Sequence, residues 1–194
     1  MLRKEINISG NKILDDLILG VCSFVTLVLL GPIKLDLVEG LPITLQSLLV
    51  VLFPLMFGFR VGVSFVIAYL FIGGFGAPIF AGNESGWKHF IGPTGGFLLA
   101  FPIAALFSGV AGEFASNLSS LNRHTFITGA IILLLAQIII LLLGLGWQDA
   151  LSNSSFNFTT KIIALMPRLL VKTAIGTIVF VLLGRILNNL NSNR

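Results

Sequence analysis

The chain has 194 residues, 56% of them hydrophobic and only 10% charged, and its mean hydropathy is +1.01. Soluble domains carry roughly 25% charged residues, so the composition excludes a water-soluble domain and fits a lipid bilayer as the solvent. The net charge of +4 comes from Lys and Arg scattered through the connections, with no basic patch interleaved with aromatics, which argues against a nucleic-acid partner.

Apolar runs broken by Gly, Pro and charge predict six membrane-spanning helices, at about residues 17–35, 43–59, 61–80, 95–114, 125–147 and 162–187. Short connections place sequential helices side by side, so the expected fold is an all-α, compact bundle of six transmembrane helices forming one membrane domain over residues 1–194. The first run follows a basic N-terminal segment but ends in Gly31-Pro32 without a small-x-small cleavage pattern, and it is read as a retained helix. It holds the chain's one cysteine, Cys22, which excludes an internal disulfide and reads as a small packing residue.

The second run opens Leu41-Pro42-Ile43-Thr44-Leu45-Gln46, placing Thr44 and Gln46 in the first turn of a helix. Only Phe59-Arg60 separates it from the third run, which predicts a tight helical hairpin. In the fourth, Ala100, Ala104, Ser108 and Gly112 recur at four-residue spacing along one face. Such a seam lets a neighbouring backbone approach closely, either within the bundle or from another membrane subunit. Pro54 and Pro102 fall inside spans and predict kinks. The last run begins Met166-Pro167-Arg168-Leu169-Leu170-Val171-Lys172, with Lys172 about one turn inside an apolar helix. A charge there is costly unless it snorkels to the headgroups or meets a partner, such as a ligand carboxylate.

An even number of spans puts both termini on one face. With the termini cytoplasmic, the inner side holds Arg3, Lys4, Lys12, Arg60, Arg123, Arg185 and Arg194, against Lys34, Lys88, Lys161, Arg168 and Lys172 outside. The inner excess favours cytoplasmic termini in a cell-membrane protein.

Residues 74–96, GFGAPIFAGNESGWKHFIGPTGG, stand apart from the rest. Glycines permit tight turns, Asn83, Glu84, Lys88 and Thr94 offer hydrogen bonds, and Phe80, Trp87 and Phe90 offer flat apolar faces. On the predicted topology this segment, Thr44 and Gln46, and Lys172 share the outer side. Apolar walls with a few placed polar groups make a pocket for a small polar molecule. Parts for catalysis are missing from the sequence. It has no Gly-x-x-x-x-Gly-Lys-Ser/Thr loop and no His-Glu-x-x-His, His89 and His124 fall in different connections, and Ser108 has no histidine near it in sequence. The chain is read as a binding protein rather than an enzyme, with no cofactor and no metal.

The runs PITLQ at 42–46, GAPIFAG at 76–82 and GPTGGF at 92–97 resemble the BioY family, the biotin-binding S components of energy-coupling-factor vitamin transporters. The resemblance spans most of the chain, in order. It implies a six-helix bundle with a biotin pocket at the outer face, closed by the loops after the first and third spans. It also implies partners: a membrane coupling subunit and two ABC-type ATPases. Carried over by position, it implies that Asn83 hydrogen-bonds the ureido ring, that Lys88 is the basic residue before the GPTGG motif, and that Tyr69 is the tyrosine of the third helix.

Two positions depart from the family pattern. Where the family commonly shows Pro-Gly-Asp-x-x-Lys, this chain keeps the lysine as Lys172 but has Leu169 at the aspartate position. That leaves Asn83 or Glu84 to take over its role, a weaker affinity, or a relative of biotin as ligand. In the first helix, Cys22 and Thr26 stand at the spacing of the family's Ala-x-x-x-Ala coupling face. A structural or assembly subunit is the competing reading.

Overall fold

The computed structural model describes residues 9–35, 43–116, 123–152 and 157–192. Seven helices follow in order: α1 (Lys12–Leu30), α2 (Gln46–Phe57), α3 (Phe59–Gly74), the single turn α4 (Lys88–Ile91), α5 (Gly95–Ser116), α6 (Arg123–Leu151) and α7 (Phe158–Ser192). Between α1 and α2 a two-residue antiparallel ladder pairs β1 (Lys34–Leu35) with β2 (Ile43–Thr44), Lys34 opposite Thr44. Helices α1, α5, α6 and α7 are each long and apolar enough to cross a membrane, while α2 and α3 are shorter apolar helices. The chain is a multi-pass membrane protein.

Helix α2 is the axis of the molecule, with ten of its twelve residues buried. Helices α3, α5, α6 and α7 pack around it, and α1 leans on α2 and α3 from outside. Accordingly α1 leaves Ile13, Leu17, Val21, Val25 and Leu29 exposed at four-residue spacing, a face suited to lipid. The small-residue seam of α5 points the other way. Ala100, Ala104 and Ser108 are at most 1% exposed, and a Cβ at Gly112 would meet the Leu55 carbonyl oxygen at 2.8 Å. The seam is therefore spent on packing within the bundle.

Helix ends differ from the sequence-based boundaries for identifiable reasons. Helix α1 stops at Leu30 because Pro32 cannot continue it, and the chain turns into β1. Thr44 lies in β2 rather than in a first helical turn, and α2 begins at Gln46. Pro42, expected to set the helix entry, lies outside the described residues.

The α2–α3 turn falls at Gly58, not at Phe59-Arg60. Its φ of 94° is left-handed backbone that glycine adopts without strain, and Phe59 and Arg60 already belong to α3. Helix α3 ends at Gly74, six residues earlier than expected, as the chain turns through Gly76 at φ 110°. Helix α7 starts at Phe158 because Asn157 caps it, its Oδ1 accepting from the Thr160 amide at 3.2 Å. Pro167 then falls inside the helix. Lys172 lies fourteen residues from the helix start, about 21 Å along its axis at the usual rise, and not one turn in.

Candidate functional site

Residues 75–94 fold down over the end of the bundle that holds the start of α2. Two hydrogen bonds pin their middle. The Tyr69 hydroxyl donates to the Ile79 carbonyl at 2.6 Å, and Gln46 Oε1 accepts from the Ala81 amide at 3.2 Å. Beyond them Phe80 pairs with Glu84 in a single β-bridge, and Asn83 takes the left-handed conformation at φ 60°, which asparagine tolerates.

Aromatic packing fixes this segment. Phe80 is buried edge-on against Tyr69, His89 and Phe90, and Trp87 packs against Phe71, Phe75 and Phe90. Glycine at 74 makes room, since a Cβ there would meet the Trp87 ring at 2.9 Å. The GPTGG turn is tied to α6: Trp147 Nε1 donates to the Gly92 carbonyl at 3.0 Å, and Gln148 Nε2 to that of Pro93 at 3.2 Å.

Tyr69 is thus a structural pin. Replacing Tyr69 by Phe leaves a buried carbonyl without its donor, which should destabilise the folded chain by about 1–3 kcal/mol. A melting curve in detergent should show this as a drop of a few degrees. An unchanged midpoint would mean that the hydroxyl does not hold the segment.

Beneath this cover lies a cavity of about 530 Å³ between α2, α5, α6 and α7, within the usual size range of small-molecule sites. Its walls are apolar, with Phe97, Leu98 and Phe101 from α5 and Ile140, Leu141 and Leu145 from α6. The polar lining is sparse and one-sided. Helix α2 gives Gln46 and Ser47, the covering loops give Thr44 and Thr94, α6 gives Gln137 and Gln148, and α7 gives Lys161, Arg168 and Lys172. Among the described residues, none that lines the cavity is acidic.

The ammonium of Lys172 turns inward and donates to Ser47 Oγ at 2.8 Å, tying α7 to α2. One residue on, Thr173 Oγ1 accepts from Gln137 Nε2 at 3.3 Å. Gln46 Nε2 is buried and, among the described residues, makes no hydrogen bond of good geometry. The cavity therefore offers donors and positive charge, and suits a ligand with acceptors and a negative group.

Of the residues singled out from sequence, Thr44, Gln46, Thr94 and Lys172 line this cavity. Tyr69 and Phe80 are buried beneath the covering segment. Asn83, Glu84, Trp87 and Lys88 are exposed on its outer surface, with Glu84 Oε2 3.3 Å from His89 Nε2. The structure thus brings four of the ten together and places the other six around them. Ser47, Gln137, Gln148 and Lys161 line the cavity without having been singled out. Gln137 carried a readable signal, as the one polar residue in the run from Gly129 to Gly144.

Comparisons with known proteins bear on the same chain. Residues 4–191 match the model of the BioY family. A Pyrococcus horikoshii protein named Probable biotin transporter BioY is 40% identical over 80 residues, 41% of this chain and 49% of that protein. Biotin transporter BioY2 of Lactococcus lactis subsp. cremoris is 31% identical over 121 residues, 62% of this chain and 63% of the relative. These alignments span about half to two-thirds of the relatives' length. The crystal structure at 2.1 Å of the S-component for biotin from an ECF-type ABC transporter superposes with a TM-score of 0.76 at 22% identity, covering 94% of this chain and 95% of that one. That likeness shows the fold. With the family match running over nearly the whole sequence, the chain belongs to the BioY family.

Proposed function

We propose that the chain takes up biotin across the cytoplasmic membrane, as the substrate-binding S component of an energy-coupling-factor transporter. The carrying observation is the cavity of about 530 Å³, apolar-walled and lined by an inward-turned lysine, in a chain of the BioY family. Apolar walls suit the fused rings and valeryl chain of biotin, amide groups suit its ureido head, and cations suit its carboxylate. On this reading Lys172 meets the carboxylate and Thr44, Gln46 and Thr94 contact the ligand. Asn83, Glu84, Lys88 and Trp87 act from the outer rim, and Tyr69 and Phe80 hold the cover in place.

The reading includes six spans with both termini cytoplasmic, and a cavity opening outward. It also includes the coupling subunit and ATPases, since the sequence has no phosphate loop of its own. The exposed face of α1, which carries Cys22, is available to a membrane partner. A pure assembly subunit is less well supported, because the α5 seam that would have served it is buried inside the bundle. A relative of biotin remains the second reading, on one observation: Leu169 lines the cavity where an acidic residue was expected.

Equilibrium binding decides between them. Detergent-purified protein should bind labelled biotin with Kd below micromolar, which corresponds to more than about 8 kcal/mol. Saturable binding of a biotin relative but not of biotin would establish the second reading. No saturable binding of either would remove the vitamin assignment.

A further inference from the structure

Resting on the vitamin reading, one group that it leaves unused is Arg168. It lines the cavity, one helical turn from Lys172 on the same face of α7. Its Nε is buried and has no acceptor among the described residues. Lys172 already spends a hydrogen bond on Ser47, whereas this face of the guanidinium spends none.

The surroundings make that arrangement expensive. Like charges four residues apart on a helix repel. Among the described residues no acidic side chain lines the cavity to offset them, and Leu169 between them is an apolar side chain only 5% exposed. Two adjacent cations and an unmatched donor make this part of the cavity suited to an anion.

Position along α7 adds a second constraint. Residues 161, 168 and 172 span the cavity from its loop-covered mouth inward, about 16 Å at the usual helical rise. Gln46, Ser47 and Gln137 cluster at the level of Lys172, because Ser47 bonds Lys172 and Gln137 bonds Thr173. Arg168 stands one turn nearer the mouth. Arg168 and Lys172 are one helical turn apart, so one carboxylate can reach both side chains.

We infer that Arg168 is a carboxylate-binding and specificity-determining residue, which with Lys172 forms a two-cation clamp selecting a monocarboxylate over its neutral amide. Arginine suits this role because its planar fork can grip both carboxylate oxygens and stays charged at every accessible pH.

The test compares biotin with biotin amide on the purified full chain. Arg168→Gln keeps length and hydrogen-bonding capacity while removing the charge. It should weaken biotin about tenfold or more, the usual value of hydrogen bonds to charged groups, and the amide by less than about twofold. Lys172→Ala should keep part of the preference for biotin, and the double variant should bind the two ligands alike. Arg168→Lys should recover part of the loss, which separates a ligand contact from a folding defect, and melting curves on each variant monitor that defect. Equal losses for both ligands, no loss for either, or a preference already abolished in Lys172→Ala would each overturn the clamp while leaving biotin binding intact. A parent protein that binds neither probe overturns the vitamin reading and the clamp together.

Discussion

Lys172→Ala should lower the affinity for biotin roughly 30-fold to several thousand-fold, and that for biotin amide far less. The range is the about 2–5 kcal/mol lost when one partner of a buried, hydrogen-bonded charge pair is truncated. Three features place this variant at the top of the expected effects. The ammonium sits about 21 Å along α7 and is only partly exposed. It faces a mostly apolar cavity, where a charge–charge contact is screened less than in open water. Its neutral partner, Ser47, can hold it but cannot neutralise it. Isothermal titration or a filter assay with both ligands reads the ratio directly. Equal weakening of acid and amide would mean that Lys172 shapes the cavity without touching the carboxylate.

Gly109→Leu should abolish recovery of folded protein. A Cβ at position 109 would meet Phe59 Cα at 2.5 Å and Phe59 N at 2.6 Å. These are backbone atoms at the first residue of α3, locked by the Gly58 turn, and cannot rotate away as a side chain could. One turn further along α5, Glu113 Oε1 accepts from the Phe59 amide at 3.3 Å, capping an otherwise unpaired donor at the start of α3. The contact and the cap are set by the same approach of α5 to the α2–α3 turn, so spreading the helices loses both. Overpacking alone commonly destabilises by about 1–3 kcal/mol, and losing the cap adds to it. Size-exclusion chromatography of detergent extracts should show Gly109→Leu as aggregate or absent, and Gly109→Ala as folded with a lowered melting temperature. A monodisperse Gly109→Leu with the parent's melting temperature would refute the account.

Most of the architecture could be read from the residues because hydropathy runs and glycine punctuation are local signals. The order of the apolar helices follows directly from them. Their ends do not, since an end depends on which capping group wins. Asn157 starts α7 four residues ahead of the apolar run, and Gly58 rather than Phe59-Arg60 makes the hairpin turn. The direction of the α5 seam was likewise open, because a stripe of small residues looks the same whether it meets a helix of its own chain or a foreign one.

The site was legible in proportion to how unusual each residue is in its setting. Lys172, a charge in an apolar helix, and Gln46, beside the proline-led run, stand out and do line the cavity. Tyr69 and Phe80 stand out too, but their chemistry serves packing, a distinction that needs the third dimension. Ser47 gives no signal alone. Its meaning comes from Lys172, 125 residues away in sequence. Gln137 was visible as an isolated amide among aliphatic residues, yet nothing in the sequence brings it to Thr173.

The brevity of α2 has a consequence for any cargo. Twelve residues make a rod about 18 Å long, against about 30 Å of hydrocarbon. The tip at Phe57 adjoins Glu113 and exposed Arg60, and the tip at Gln46 lies beneath the segment 75–94. On the proposed function, a solute resting on the Gln46 tip would face a path of about 18 Å along α2, shorter than the about 30 Å of hydrocarbon, before any helix moves.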